Sequence, residues 1–163
     1  YQYFTASMQE AAQTKKRITI DLRDAVTNNE FLLYYQPIVE LATGAIYKAE
    51  ALIRWQHPTR GLVGPIEFIP IAEETSMIID IGNWVFTEAA KQAKHWRASY
   101  HAAFQISVNK SPVQFHATGS THVGWIDYLR QLDLPGSETL QFQKRYRSEK
   151  LPSGNCIRKS TAA

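Results

Sequence analysis

Glu50, Leu52 and Arg54 occupy alternate positions in the run Ile46-Tyr47-Lys48-Ala49-Glu50-Ala51-Leu52-Ile53-Arg54-Trp55. On an extended segment alternate side chains share a face, so the three project together, with the carboxylate and the guanidinium about 13 Å apart and an apolar platform between them. That order suits a ligand bearing both charged phosphates and a flat base. The carboxylate holds a divalent cation, the leucine offers a surface to pack on, and the arginine fork matches phosphate oxygens. Spacing alone favours a plainer arrangement, in which Glu50 and Arg54 face solvent on one side of a half-buried sheet.

Two more polar residues stand where a simple core leaves them unsatisfied. Gln36 lies inside the apolar run Phe31–Val39, just before Pro37, and shares strand parity with Leu32, Tyr34 and Ile38. A carboxamide there requires hydrogen-bond partners, from backbone or from ligand. Asn109 closes the alternating segment Phe104-Gln105-Ile106-Ser107-Val108-Asn109, and the C-terminal ends of strands are where α/β folds place their sites. A turn or a helix N-cap ahead of Ser111-Pro112 explains Asn109 equally well, and Ser111 fits an N-cap better than a nucleophile. The histidines at 57, 95, 101, 116 and 122 lack metal-ligand spacing and are expected in loops or on the surface. Cys156, the single cysteine, has no partner for a disulfide or a thiolate metal site.

The elements that must position these residues follow from periodicity. Ile18–Asn28 places Ile18, Leu22, Ala25 and Val26 on one helical face, and Asn28-Asn29 ends it. Phe31–Val39 and Ala45–Trp55 are rich in β-branched and aromatic residues, and Thr43-Gly44 between them suits a hairpin turn. A loop is expected at His57-Pro58-Thr59-Arg60-Gly61, then a short helix at Pro65–Glu74 with proline in its first turn. Ile81–Ser99 carries an apolar stripe through Trp84, Val85, Ala89, Ala93 and Trp96, which predicts an amphipathic helix. A strand over Ala103–Asn109 and a helix around His122–Leu132 complete an α/β order. Beyond Pro135-Gly136 no sustained alternation remains, and residues 137–163 are expected to order poorly or to be foreign sequence.

Charge distribution removes the nucleic-acid reading that a net charge of +3 invites. Residues 137–163 hold six cations against Glu138 and Glu149, a net +4, so the rest of the chain sums to −1. A terminal basic run of this kind reads as a solvated segment rather than a binding surface for a nucleic-acid polymer. No stretch approaches the roughly 20 apolar residues of a membrane-spanning helix, and the first residues lack the order of a signal peptide, so a cytoplasmic protein is expected.

Five linked segments resemble the EAL family in order and spacing: Tyr34-Tyr35-Gln36-Pro37-Ile38-Val39, Glu50-Ala51-Leu52-Ile53-Arg54-Trp55, His57-Pro58-Thr59-Arg60-Gly61, Phe68-Ile69-Pro70-Ile71-Ala72-Glu73 and Ile106-Ser107-Val108-Asn109. The resemblance implies a partial (β/α)8 TIM-like barrel of EAL type with an antiparallel first strand pair. It implies hydrolysis of one phosphodiester bond of cyclic di-GMP to the linear dinucleotide, assisted by Mg²⁺ or Mn²⁺. On matching positions, Glu50 and Asn109 become metal ligands, and Gln36, Leu52 and Arg54 contact the dinucleotide, Arg54 through phosphate.

The departures set further expectations. EAL domains carry later acidic ligands, including an ExxE glutamate and a DDFGTG segment, then a lysine and another glutamate, and none occurs in this sequence. The catalytic set is therefore incomplete, and the chain alone is expected to be inactive. Residues 1–16 resemble a linker or the end of an upstream GGDEF domain, 17–136 the N-terminal half of an EAL domain, and 137–163 a non-homologous, frameshifted basic tail. A half-barrel with open sheet edges is expected to self-associate or to pair with a complementing EAL half. The alternative is a non-catalytic remnant that binds nucleotide or protein through the Leu52 and Arg54 surface.

Overall fold

A computed structural model describes residues 6–116, 120–144 and 157–158 of the 163-residue chain. Helix α1 (Ala6–Ala25) is followed by strands β1 (Phe31–Val39), β2 (Ile46–His57) and β3 (Gly61–Val63), then by helices α2 (Pro65–Glu74) and α3 (Ile78–Ser99). Strand β4 (Gln105–Lys110), helices α4 (Pro112–His116), α5 (Ser120–Gln131) and α6 (Gly136–Thr139), and strands β5 (Leu140–Lys144) and β6 (Ile157–Arg158) complete the order.

The strands form one mixed sheet in the order β5-β4-β2-β1-β6, with β3 paired to β2. β1 and β2 are antiparallel, whereas β2–β4 and β4–β5 are parallel. The expected hairpin is therefore present, and it forms the reversed first pair ahead of the parallel succession β2-β4-β5. Its turn depends on Gly44, whose φ of 71° a residue with a Cβ adopts only at a cost, and on the amide of Gly44 donating to the Glu40 carbonyl. Thr43 and Tyr47 both donate their hydroxyls to the Glu40 carboxylate, which holds that carboxyl below its ordinary pKa. Asn29, at φ 56°, breaks the chain between α1 and β1, as its residue type allows.

Parity divides the sheet into two faces. Phe31, Leu33 and Tyr35 of β1, Ala49, Ala51 and Trp55 of β2, and Ile106 and Val108 of β4 are buried on the helix side. Trp55 packs edge-on against Phe68 of α2, and Tyr35 edge-on against Trp96 of α3. α3 buries Ile78, Ile81, Val85, Phe86, Ala89, Ala90 and Ala93 at helical spacing against this layer. Leu32, Tyr34 and Gln36 lie on the opposite face and are half-buried.

Several local readings shift. α1 begins at Ala6 and runs without interruption across residue 16, and α3 begins at Ile78, three residues before the expected start. The segment expected as a loop holds the end of β2 and the start of β3, with His57 paired to Gly61. His57 is buried, not superficial: its Nδ1 accepts the amides of Thr59 and Arg60, and its Nε2 lies 3.1 Å from Asp21 of α1. Residues 140–144, in the stretch expected to lack order, form β5, because Leu140 and Phe142 turn toward the helix layer while the ladder to β4 satisfies their backbone. The basic tail otherwise falls largely outside the described residues.

Candidate functional site

The strand register collects the polar residues singled out by the sequence onto one face. Across the hairpin Gln36 pairs with Glu50, Tyr34 with Leu52, and Leu32 with Arg54. Across the parallel pair Glu50 is level with Ser107, and one repeat further along β4 stands Asn109. Asn109 Nδ2 donates to Glu50 Oε1 over 2.7 Å, so the two residues expected as metal ligands are in direct contact. Leu52 is buried between Glu50 and Arg54. The Arg54 guanidinium lies 5.5 Å from the Tyr34 ring centroid and donates through Nη1 to the Ile53 carbonyl at 2.8 Å.

Beside this face, at the C-terminal ends of β2 and β4, opens a cavity of about 190 Å³. Leu52, Ile69 and Pro70 contribute apolar walls, while Arg54, Glu73 and Asn109 supply polar groups together with Lys110, Ser111 and Gln114. Gln36 and Glu50 do not line it and stand one step along the sheet. The cavity thus gathers Leu52, Arg54 and Asn109, with Glu50 joined to it through the Asn109 hydrogen bond.

Two polar atoms on this face are buried without a hydrogen-bond partner among the described residues, Gln36 Oε1 and Ser107 Oγ. A buried acceptor and a buried hydroxyl in that state are costly unless something else meets them.

Glu73 and the turn after β4 were not read from the sequence as parts of a site. Glu73, from the last turn of α2, accepts the Ser111 hydroxyl at 2.6 Å through Oε1. The Ser111 amide donates to Gln114 Oε1 at 2.9 Å, and the Val113 amide donates to Ser111 Oγ at 3.2 Å. Ser111-Pro112-Val113-Gln114 is a variant of the capping box at the start of α4, with the Ser111 hydroxyl oxygen on the Val113 amide and the Gln114 side chain on the Ser111 amide, and its Ser-x-x-Gln spacing is visible in the sequence. Lys110, between Asn109 and this cap, is buried on the helix side with its ammonium 4.9 Å from the Trp125 ring, and burial lowers its pKa.

Glu50 and Asn109 offer two adjacent oxygen donors and one negative charge. A divalent cation of the Mg²⁺ type surrounds itself with about six oxygens. No group of three or more histidine, cysteine or acidic side chains is placed to share an ion among the described residues. On β5, level with Ser107 and Asn109, stand the neutral Gln141 and Gln143, and Gln141 takes the Lys48 ammonium on its Oε1 while donating to Gln105 at 3.1 Å. These residues fit one edge of a cation site and do not complete it.

The chain matches the EAL domain family over residues 20–145. It is 40% identical over 130 residues to the bifunctional diguanylate cyclase/cyclic di-GMP phosphodiesterase MucR of Pseudomonas aeruginosa, covering 80% of this chain and 18% of that protein. It is 38% identical over 117 residues to the oxygen sensor protein DosP of Escherichia coli, covering 72% of this chain and 15% of that one. Among solved structures, the PaMucR phosphodiesterase in complex with c-di-GMP superposes with a TM-score of 0.72 at 37% identity, over 77% of this chain and 50% of that chain. The EAL enzyme Bd1971 bound to cAMP and cyclic di-GMP superposes at 0.71 with 33% identity, over 81% and 37%. The chain therefore spans a fifth or less of the length of the curated relatives it matches and about half or less of the solved chains. No helix among the described residues is long and apolar enough to cross a membrane. Taken together, the reversed first strand of the sheet, the five motifs carried by the sheet and α2, and these matches establish that the chain belongs to the EAL domain family.

Proposed function

We propose that this chain supplies the dinucleotide-binding floor of a cytoplasmic cyclic di-GMP phosphodiesterase module, and that hydrolysis to linear pGpG requires acidic ligands from outside its described residues. The observation that carries the reading is the alignment of Gln36, Glu50, Leu52, Arg54 and Asn109 on one sheet face beside an apolar cavity. One guanine packs on Leu52 and the wall formed by Ile69 and Pro70. Arg54, steadied by Tyr34 and the Ile53 carbonyl, turns its remaining donors to a phosphate. The unpaired Gln36 Oε1 accepts from the ligand and so loses its burial penalty.

Glu50 and Asn109 hold one side of a cation. When bound, Mg²⁺ or Mn²⁺ polarises the phosphate and lowers the pKa of its water. Within the chain, the Asn109 carboxamide fixes the orientation of the Glu50 carboxylate through the 2.7 Å bond. With one carboxylate at this edge, the chain by itself holds two divalent ions poorly and does not turn over substrate. A complementing half, or a second copy meeting the exposed sheet edges, is the partner this reading calls for.

A second reading, a non-catalytic nucleotide-binding remnant, is favoured by the neutral Gln141 and Gln143 beside Ser107 and Asn109. Calorimetric titration with cyclic di-GMP, with and without Mn²⁺, together with chromatographic detection of pGpG, separates the two. Metal-strengthened binding without product supports the first reading and metal-indifferent binding the second. Turnover by this chain alone overturns the requirement for outside ligands, and absence of binding overturns both readings.

A further inference from the structure

We infer that Glu73 is a positioning residue, which holds the end of β4 through Ser111 and thereby sets the place of Asn109 at the cavity. This rests on the reading above that the cavity receives a base of cyclic di-GMP.

The turn after β4 is gripped from two helices. From α2, Glu73 Oε1 receives the Ser111 hydroxyl at 2.6 Å, a charge-assisted bond spanning 38 residues of sequence. From α3, Gly82 leaves room for Gln114: a Cβ at position 82 would sit 1.7 Å from Gln114 Nε2. Gln114 in turn accepts the Ser111 amide at 2.9 Å. Ser111 is therefore fixed by its hydroxyl to one helix and by its amide to a side chain seated on the other. Two residues before it, Asn109 donates to Glu50.

Ser111 needs only one of these anchors to cap a five-residue helix, since the Val113 amide already bonds its Oγ. The additional bond to Glu73 closes the cavity wall between α2 and β4, and Glu73, Ser111 and Asn109 all line that cavity. An acid placed there with its carboxylate committed to the turn restrains the strand end by which the carboxamide reaches Glu50. Preorganisation of this kind removes ordering cost from ligand binding.

The test uses the full chain and the variants Glu73→Ala, Glu73→Gln and Ser111→Ala, with Glu74→Ala as a control on the exposed side of α2. The first readout is the Asn109 side-chain NH₂ resonance in ¹⁵N-labelled protein without ligand. It is expected to move in Glu73→Ala and Ser111→Ala, to stay close to wild type in Glu73→Gln, whose carboxamide oxygen still accepts the hydroxyl, and to stay put in Glu74→Ala. The second readout is the cyclic di-GMP affinity, expected to fall about tenfold in Glu73→Ala and in Ser111→Ala and no further in the Glu73→Ala/Ser111→Ala double variant, since the pair acts as a unit. Additive losses, or an unmoved Asn109 resonance with unchanged affinity, overturn the inference while leaving the binding reading intact. A resonance that moves in those two variants, while the wild-type chain binds no cyclic di-GMP, overturns the binding reading and the link to affinity, and the positioning of Asn109 stands.

Discussion

Asn109 and Glu50, 59 residues apart, meet across neighbouring parallel strands through one 2.7 Å hydrogen bond, and this contact joins the hairpin to the rest of the sheet at the point where function is expected. Asn109→Asp places a second carboxylate against the first. Like charges at that distance disfavour joint ionisation, and a loss of about 1–3 kcal/mol in urea unfolding is expected without divalent ions. Millimolar Mn²⁺ should restore more stability to this variant than to wild type, because the ion binds the folded acid pair and not the unfolded chain. Equal stability with and without Mn²⁺ in the variant would count against Glu50 and Asn109 as an edge of a cation site.

Gly82 is the only glycine whose missing Cβ is already occupied among the described positions, by Gln114. Gly82→Ala forces the buried carboxamide out of its seat, with an expected cost of about 1–3 kcal/mol and a melting point lower by several degrees. Gln114→Ala in the same chain should recover part of that loss in a calorimetric scan, since it clears the clash while giving up the Ser111 amide bond.

Arg54→Lys keeps the charge and loses the fork. The expected result is a cyclic di-GMP affinity reduced roughly tenfold, equivalent to about 1.4 kcal/mol, measured by titration at fixed salt. Thermal stability should change little, because among the described residues the guanidinium contacts the Tyr34 ring and one carbonyl. An unchanged affinity would remove Arg54 from the phosphate contact.

Tyr35 is buried with its hydroxyl unpaired among the described residues, and burial, helped by the charge of Glu88, pushes its phenol well above the ordinary range. The folded state therefore keeps a proton that the unfolded chain releases above about pH 10. Stability from the neutral phenol is complete below that pH and falls as the pH rises toward the folded value. Tyr35→Phe should flatten the alkaline decline that sets in near pH 10 in urea titrations, and near pH 7 should be neutral or stabilising by up to about 1 kcal/mol. A wild-type alkaline slope retained in the variant would show that another group carries it.

The parts of the fold that could be read from sequence are those fixed by local pattern. Parity in the segments around Gln36 and Glu50 forecast the hairpin and its shared face, because a period of two and the Thr43-Gly44 turn leave one register. The amphipathic stripe through Val85 and Ala93 gave α3 for the same reason. His57 was misplaced because its burial depends on Asp21, 36 residues earlier on another helix. β5 went unread because Gln141, Gln143 and Lys144 weaken a five-residue alternation that only pairing with β4 stabilises. Within the site, Leu52 and Arg54 were legible as alternate positions, whereas Glu73 stood only as the last residue of a matched segment, with no role assigned. Its role depends on where α2 lies relative to Ser111, which no local spacing encodes.

The contrast between the short connection in the hairpin and the long one before β4 also orders events in time. β1 and β2 are joined by residues 40–45, while residues 58–104 separate β2 from β4. Closing the longer span costs more chain entropy, so the nucleus is expected to form in the hairpin and the pocket to be assembled last. Substitutions at Thr43 or Gly44 should then slow the folding limb of a chevron, and substitutions at Asn109 should chiefly hasten the unfolding limb.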